Sequence, residues 1–312
     1  MTNLFITIII PVYNGEATIE QCVESLLVQD YPQERYEIIV VNNNSTDRSV
    51  EIVRQNPVVL LDEKKQGPAA ARNRGLARVR GEIVAFIDAD CFAETRWLRE
   101  LVKPFSDPAV GGVGGAIGSV SRATAVERYA DDRSILNHSL SSPFFLPYLV
   151  TANAAFRKEL IDSAGGFDEN FTKAAGEDID LSWRIQLNTP CTFVFAEKAV
   201  VYHKHRDTIS GLFAQAFNYH TIFHKTYIKF SHYNSYPTRR VGGLIQRFWA
   251  PVYGFPKWVG GPVLKWIVGR SSRDEMLYPF FEWVWGLGEA AGLLKCTLEH
   301  LRYHLQHFLA SR

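Results

Sequence analysis

From residue 5 onward, continuous apolar runs alternate with stretches whose apolar positions recur every three or four residues. Residues 5–11 are a β-branched run closed by Pro11. After Asn14-Gly15 comes a pattern in which Ile19, Val23, Leu26 and Leu27 share one helical face. The unit repeats at 37–41 then 45–54, 58–61 then 68–79, and 82–87 then 95–105. Strands without polar alternation are buried on both faces, so the pattern predicts an α/β fold: a mostly parallel sheet with helices on both sides. Ser45 is placed as an N-cap, and Pro68 after Gly67 in the first turn of its helix.

Past residue 110 the alternation loosens. A small-residue strand is expected at 110–120, another strand at 150–156 and a helix at 177–187. Two short strands at 192–195 and 199–202 precede His203. The α/β domain is expected to span 1–206, followed by a helical, basic and Trp-rich extension over 207–312.

Charge supports that division. Residues 201–312 hold 14 Lys/Arg and 6 Asp/Glu, against 20 and 27 in the first 200, although the whole chain is only +1. A near-neutral chain has no general attraction for nucleic acid, so affinity for anions must be local. Cys22, Cys91, Cys191 and Cys296 include no CxxC pair, which argues against a zinc site or disulfide framework and for a reducing compartment. The apolar run 4–10 has no basic segment before it and is read as a strand, not a signal peptide, so a cytoplasmic location is expected.

Three clusters could carry chemistry. Asp88-Ala89-Asp90 follows the fourth strand, at the carboxyl edge where open parallel sheets bind ligands. On an extended chain the two carboxylates would point the same way, and paired hard oxygen donors suit Mg2+ or Mn2+. Pro11-Val12-Tyr13-Asn14 and 42–47, with Asn42 and Asn43, should form a floor for a nucleotide on the same edge; plain turn chemistry is the alternative. Arg72, one turn into a helix that begins Gly67-Pro68-Ala69, favours an anion such as a diphosphate. The run Gly111-Gly112-Val113-Gly114-Gly115 fails the dinucleotide fingerprint and leaves room for a sugar, an acceptor or close packing.

Together with Gly165-Gly166-Phe167-Asp168 and 176–184, these segments resemble the family 2 glycosyltransferases over about residues 4–206. The resemblance implies the GT-A (Rossmann-like) fold and inverting transfer of a sugar from a nucleoside-diphosphate donor to an acceptor hydroxyl. It assigns Asp88 to the ribose and Asp90 to the metal, with Pro11, Val12, Tyr13, Asn14, Arg72 and Ala89 around the nucleotide. Asn43 stands where the family usually has an Asp for the base, which leaves the donor base open. The Glu177-Asp178 pair matches the family's catalytic base position, and helix phase favours Asp178. On a helix it shares a stripe with Leu181 and Ile185, while Glu177 is turned about 100° away. A histidine after the base helix completes the metal site in the family; here His203 is favoured and His205 competes.

The tail interleaves basic and aromatic residues (Arg247-Phe248-Trp249, Lys257-Trp258, Lys265-Trp266). Leu294, Leu298, Leu301, Leu305 and Phe308 form a helical stripe. The segment 276–294 carries Glu282 and Glu289, so a spanning helix is not expected. Such a tail suits an anionic membrane surface, which would make the protein peripheral on the cytoplasmic face; packing on the front domain or on a second subunit is the alternative. A carbohydrate or lipid-linked acceptor, in cell-envelope, exopolysaccharide or glycolipid synthesis, is therefore expected. The rivals are a nucleotidyltransferase on a similar sheet and a non-catalytic sugar-nucleotide or membrane scaffold.

Overall fold

The computed structural model describes residues 4–136, 145–230, 233, 262–269 and 272–310. The apolar runs become strands β1 (Ile6–Val12), β2 (Tyr36–Asn42), β3 (Val59–Asp62) and β4 (Ile83–Ile87). They are followed by β5 (Cys91–Ala93), β6 (Val110–Ser119), β7 (Asn153–Arg157) and β8 (Thr192–His203). These form one sheet in the order β3-β2-β1-β4-β7-β6-β8-β5. The β3-β2-β1-β4 half is parallel, whereas β7 and β5 run antiparallel to their neighbours, so four of the seven pairings among the described residues are parallel.

Helices α1 (Ile19–Leu27), α2 (Ser49–Val53), α3 (Pro68–Leu76), α4 (Trp97–Val102), α6 (Lys158–Ser163) and α7 (Glu177–Asn188) accompany the sheet, and α5 (Ala125–Asp132) lies between α4 and α6 in sequence. One core cluster joins Ile9, Ile39, Val84, Phe86 and Phe156 with Phe167, Leu181 and Ile185. Burying each such side chain contributes about 1.5–3 kcal/mol. The Phe86 ring meets Phe156 and Phe167 edge-on, at 6.2 and 5.3 Å between centroids.

Several local expectations change. α2 starts at Ser49, not Ser45, because the Ser45 hydroxyl is used elsewhere, accepting from the Asn14 amide at 3.0 Å. The two strands expected at 192–195 and 199–202 are one strand, β8, whose pairing with β6 jumps from Ala196 to Val200. The glycine run is accounted for by packing: a Cβ on Gly111 would fall 2.6 Å from the Cys191 sulfur, and one on Gly115 would fall 2.2 Å from the Ala199 carbonyl oxygen.

The chain divides into two compact units, residues 1–120 with 134–204, and residues 121–133 with 205–312. The segment 121–133, expected in the first domain, thus belongs to the second unit, whose helices also include α8 (Ile209–Phe230) and α9 (Arg273–Ala310). The reason is local: Tyr129 stacks edge-on against Tyr278 at 5.5 Å, and Arg128 binds Asp274 with two nitrogens. α9 meets α8 through small residues. A Cβ on Gly288 or Gly292 would fall 2.7 Å from the carbonyl oxygen of Phe213 or Phe217, and Cys296, one turn on, is buried. Leu294 and Leu298 of the expected leucine stripe are instead about half exposed. The side chains of Leu301, Leu305 and Phe308, and the segments around Trp249 and Trp258, lie outside the described residues. No helix of the described residues is long and apolar enough to cross a membrane.

Candidate active site

The loops that follow β1 and β2 are laced together by their own polar groups. The backbone amides of Asn14, Gly15 and Glu16 donate to Ser45 Oγ, Ser49 Oγ and Asp47 Oδ2 at 3.0, 2.8 and 3.0 Å, and Thr46 N donates to Asn14 Oδ1 at 2.8 Å. Burial raises the Asp47 carboxyl, but hydrogen bonds from Ser49 and from the Glu16 amide outweigh it and hold the group below its ordinary range. Asn14 takes a positive φ of 51° to make this turn. Tyr13 is left 57% exposed at the strand end, an aromatic face open to a ligand. Val12, by contrast, is buried and its carbonyl accepts from the Asn43 amide, so its side chain belongs to the core and not to a nucleotide surface.

Asn43 also differs from expectation. Its amide is buried and fully used, donating to the carbonyls of Glu63 and Lys65 at 3.0 and 2.8 Å and accepting from Gly67 N at 2.7 Å. It therefore anchors the loop that opens α3, with its side chain committed to protein partners. Gly67 has a φ of +135° and a Cβ there would meet the Thr172 backbone at 3.1 Å, so this corner needs glycine. Of the two asparagines Asn42 is the more open, bonded to Asp62 Oδ1 at 2.8 Å.

The Asp88-Ala89-Asp90 segment is a tight turn, closed by Cys91 N donating to the Asp88 carbonyl at 3.0 Å. The extended chain expected there is absent, and the two carboxylates go to different partners. Asp88 Oδ1 accepts from an Arg72 nitrogen at 2.9 Å. Asp90 Oδ1 lies 3.5 Å from His203 Nε2. Both carboxylate side chains remain about one-third exposed, 33% and 37%. Asp90, Cys91 and His203 form the one group of three metal-ligating side chains among the described residues, with donor atoms all within 4.8 Å of one another. A carboxylate oxygen and an imidazole nitrogen converging at an exposed strand edge fit a divalent cation. β8 ends at His203, and that residue pairs directly with Cys91, which fixes its side of the sheet; the alternation that would have carried His205 along with it stops there.

Arg72 is buried, not open to a diphosphate. Besides Asp88 it donates to Glu177 Oε1 at 2.7 Å, and its guanidinium lies 5.6 Å from the centroid of the Phe167 ring. Glu177, which helical phase turned away from the core, is itself buried, because α7 starts from a left-handed Gly176 and its first residue folds back, Oε2 accepting from Ala175 N at 2.8 Å. The neighbouring Asn73 exchanges two 2.9 Å bonds with the backbone of Phe167. Arg72 and Asn73 thus tie three segments distant in sequence to one helix. Cys91, beside Asp90 and His203, was not singled out by sequence reasoning, and Glu177 was weighed only to be turned away; the signal for each was adjacency to an assigned aspartate.

Asp178 accepts from Ile179 N at 2.8 Å and from Thr151 N at 3.4 Å. Burial, and then the negative charge of Glu177, push its carboxyl up to about 7 in spite of Arg72 and the two backbone bonds. A carboxylate with that affinity can accept a proton near neutral pH.

An eight-stranded α/β sheet with a carboxylate turn beside its central parallel strands, tied by an arginine to an acidic helix start, is the GT-A class of fold. Its solved relatives include a mannosyltransferase from Pyrobaculum calidifontis in complex with GDP-Man and Mn2+, with a TM-score of 0.65, 23% identity and coverage of 95% of this chain and 88% of that one. The chain belongs to glycosyl transferase family 2, whose family model matches residues 7–165. Curated relatives include the glycosyltransferase AglE of Haloferax volcanii, 32% identical over 188 residues (57% of this chain, 60% of AglE). Another is the pre-mycofactocin glycosyltransferase of Mycobacterium tuberculosis, 33% identical over 220 residues (67% of this chain, 45% of the relative). The chain thus spans about half the length of the curated relatives it matches.

Proposed function

We propose that this protein transfers a sugar, with inversion, from a nucleoside-diphosphate sugar to the hydroxyl of a carbohydrate or lipid-linked acceptor. The observation that carries this is the Arg72 bridge, which joins Asp88 at the strand edge to the first residue of the helix bearing Asp178. In this proposal Asp88 and Tyr13 hold the nucleotide, and Asp90 with His203 holds Mg2+ or Mn2+. When bound, the cation would neutralise charge on the departing nucleoside diphosphate. Asp178 takes the proton of the acceptor hydroxyl as that oxygen attacks the anomeric carbon, and the bond from that carbon to the diphosphate breaks on the opposite side. The mannosyltransferase solved with GDP-Man and Mn2+ supports the donor class and the cation.

In the same proposal the protein is peripheral on the cytoplasmic face of a membrane and meets its acceptor there. Supporting this, Leu264, Trp266, Ile267 and Val268 are all exposed beside Lys265. Incubating the protein with nucleotide sugars and Mn2+ should give cation-dependent thermal stabilisation by one donor and release of its nucleoside diphosphate. Release of pyrophosphate would instead identify a nucleotidyltransferase, and stabilisation without turnover on any acceptor a sugar-nucleotide-binding scaffold.

A further inference from the structure

The Asp90–His203 pair has a third neighbour that the proposed chemistry does not use. Cys91 stands directly opposite His203 in the antiparallel β5–β8 pairing, so their side chains share one face of the sheet. Its sulfur lies within 4.8 Å of the Asp90 and His203 donor atoms. The thiol is fully buried while Asp90 is 37% exposed, so an ion entering past the carboxylate would meet sulfur at the inner wall. Oxygen, imidazole and thiolate donors together favour borderline-soft ions over Mg2+ or Mn2+.

We infer that Asp90, His203 and Cys91 form a thiophilic site that takes Zn2+, Co2+ or Cd2+ with Cys91 as a direct ligand, in preference to Mg2+ or Mn2+. The thiol is a free cysteine, with no disulfide to tie it up. As the sulfur–metal bond forms, the thiol proton leaves to solvent and no electron moves. Such an ion would occupy the position proposed for the Mg2+ or Mn2+ ion.

The test reads the metal itself and does not depend on glycosyl transfer. Titrating the full chain with Co2+ should produce a thiolate-to-cobalt charge-transfer band. The band should persist in Cys22→Ala and disappear in Cys91→Ala. Zn2+ should also displace the cobalt more effectively than Mn2+, as nitrogen and sulfur donors favour. X-ray absorption on the zinc-loaded wild type gives a second measurement should Cys91→Ala fail to fold; a sulfur scatterer near 2.3 Å, the ordinary zinc–thiolate distance, is expected. A cobalt spectrum without the charge-transfer band, a band that survives Cys91→Ala, or a zinc shell of oxygen and nitrogen alone would each overturn the inference.

Discussion

Two acidic pairs linked through Arg72 sit in opposite surroundings. Asp88 and Asp90 flank a solvent-facing turn, each about one-third exposed, whereas Glu177 is buried against Arg72 and Asp178 is lifted to about 7. The exposed pair can trade water for a donor or a cation at low cost, because neither carboxylate has been committed to the interior. At the helix start Glu177 is bonded to Arg72, and its negative charge, after burial, raises the carboxyl of the next residue. The same residue types thus become binding groups in one place and a proton acceptor in the other, through environment alone.

The comparison can be broken most strongly at Asp178. Asp178→Asn should lower the turnover number about 10²- to 10⁴-fold, the usual value of general-base action, while donor affinity measured by calorimetry changes little. Equal loss at the binding step would place Asp178 with the exposed pair instead. Next in size is Arg72→Met, which strands Glu177 as an unpaired buried charge and should cost about 3–5 kcal/mol in urea unfolding. Adding Glu177→Leu to that variant should recover most of the loss, and additive losses would show that the ion pair is not the cause.

Glu177→Gln sharpens the comparison further. It keeps an acceptor for the Ala175 amide but removes a charge that raises Asp178, so the acid limb of the pH–rate profile should move to lower pH. An unmoved limb would assign that limb to another group. The smallest effect is on stability. A carboxyl raised from 3.8 to about 7 keeps in the folded chain a proton that the unfolded chain releases, so stability falls as pH rises across that window. Asp178→Asn should therefore melt level with wild type below pH 4 and above it at pH 8, each kcal/mol of the difference moving the midpoint by about 2–4 °C. A constant difference at all pH values would refute the raised carboxyl.

Much of this was legible along the chain. The strands of the parallel half and the position of Asp88 and Asp90 after β4 followed from uninterrupted apolar runs, whose period and punctuation are local properties. Motif order alone points to the family, since Arg72-Asn73, Asp88 to Asp90 and Glu177-Asp178 each occupy a recognisable spacing. Misjudged features were those whose competitor lay far away in sequence. Ser45 looked like a helix cap until the Asn14 amide claimed it, and Asn43 looked free to meet a base until Gly67 and the β3 loop claimed its amide.

The linear order of residues by itself determined the strand and helix periods, the chemical inventory of the rim and the separation of an acidic front from a basic tail. Only tertiary structure decided which carboxylate is buried, that Arg72 faces Glu177 and Asp88, that His203 meets Asp90, and that residues 121–133 join the second unit. The physical reason is that a side chain's charge state and partner depend on the groups that surround it in space. In a sheet of crossovers those groups come from distant segments, 105 residues apart for Arg72 and Glu177.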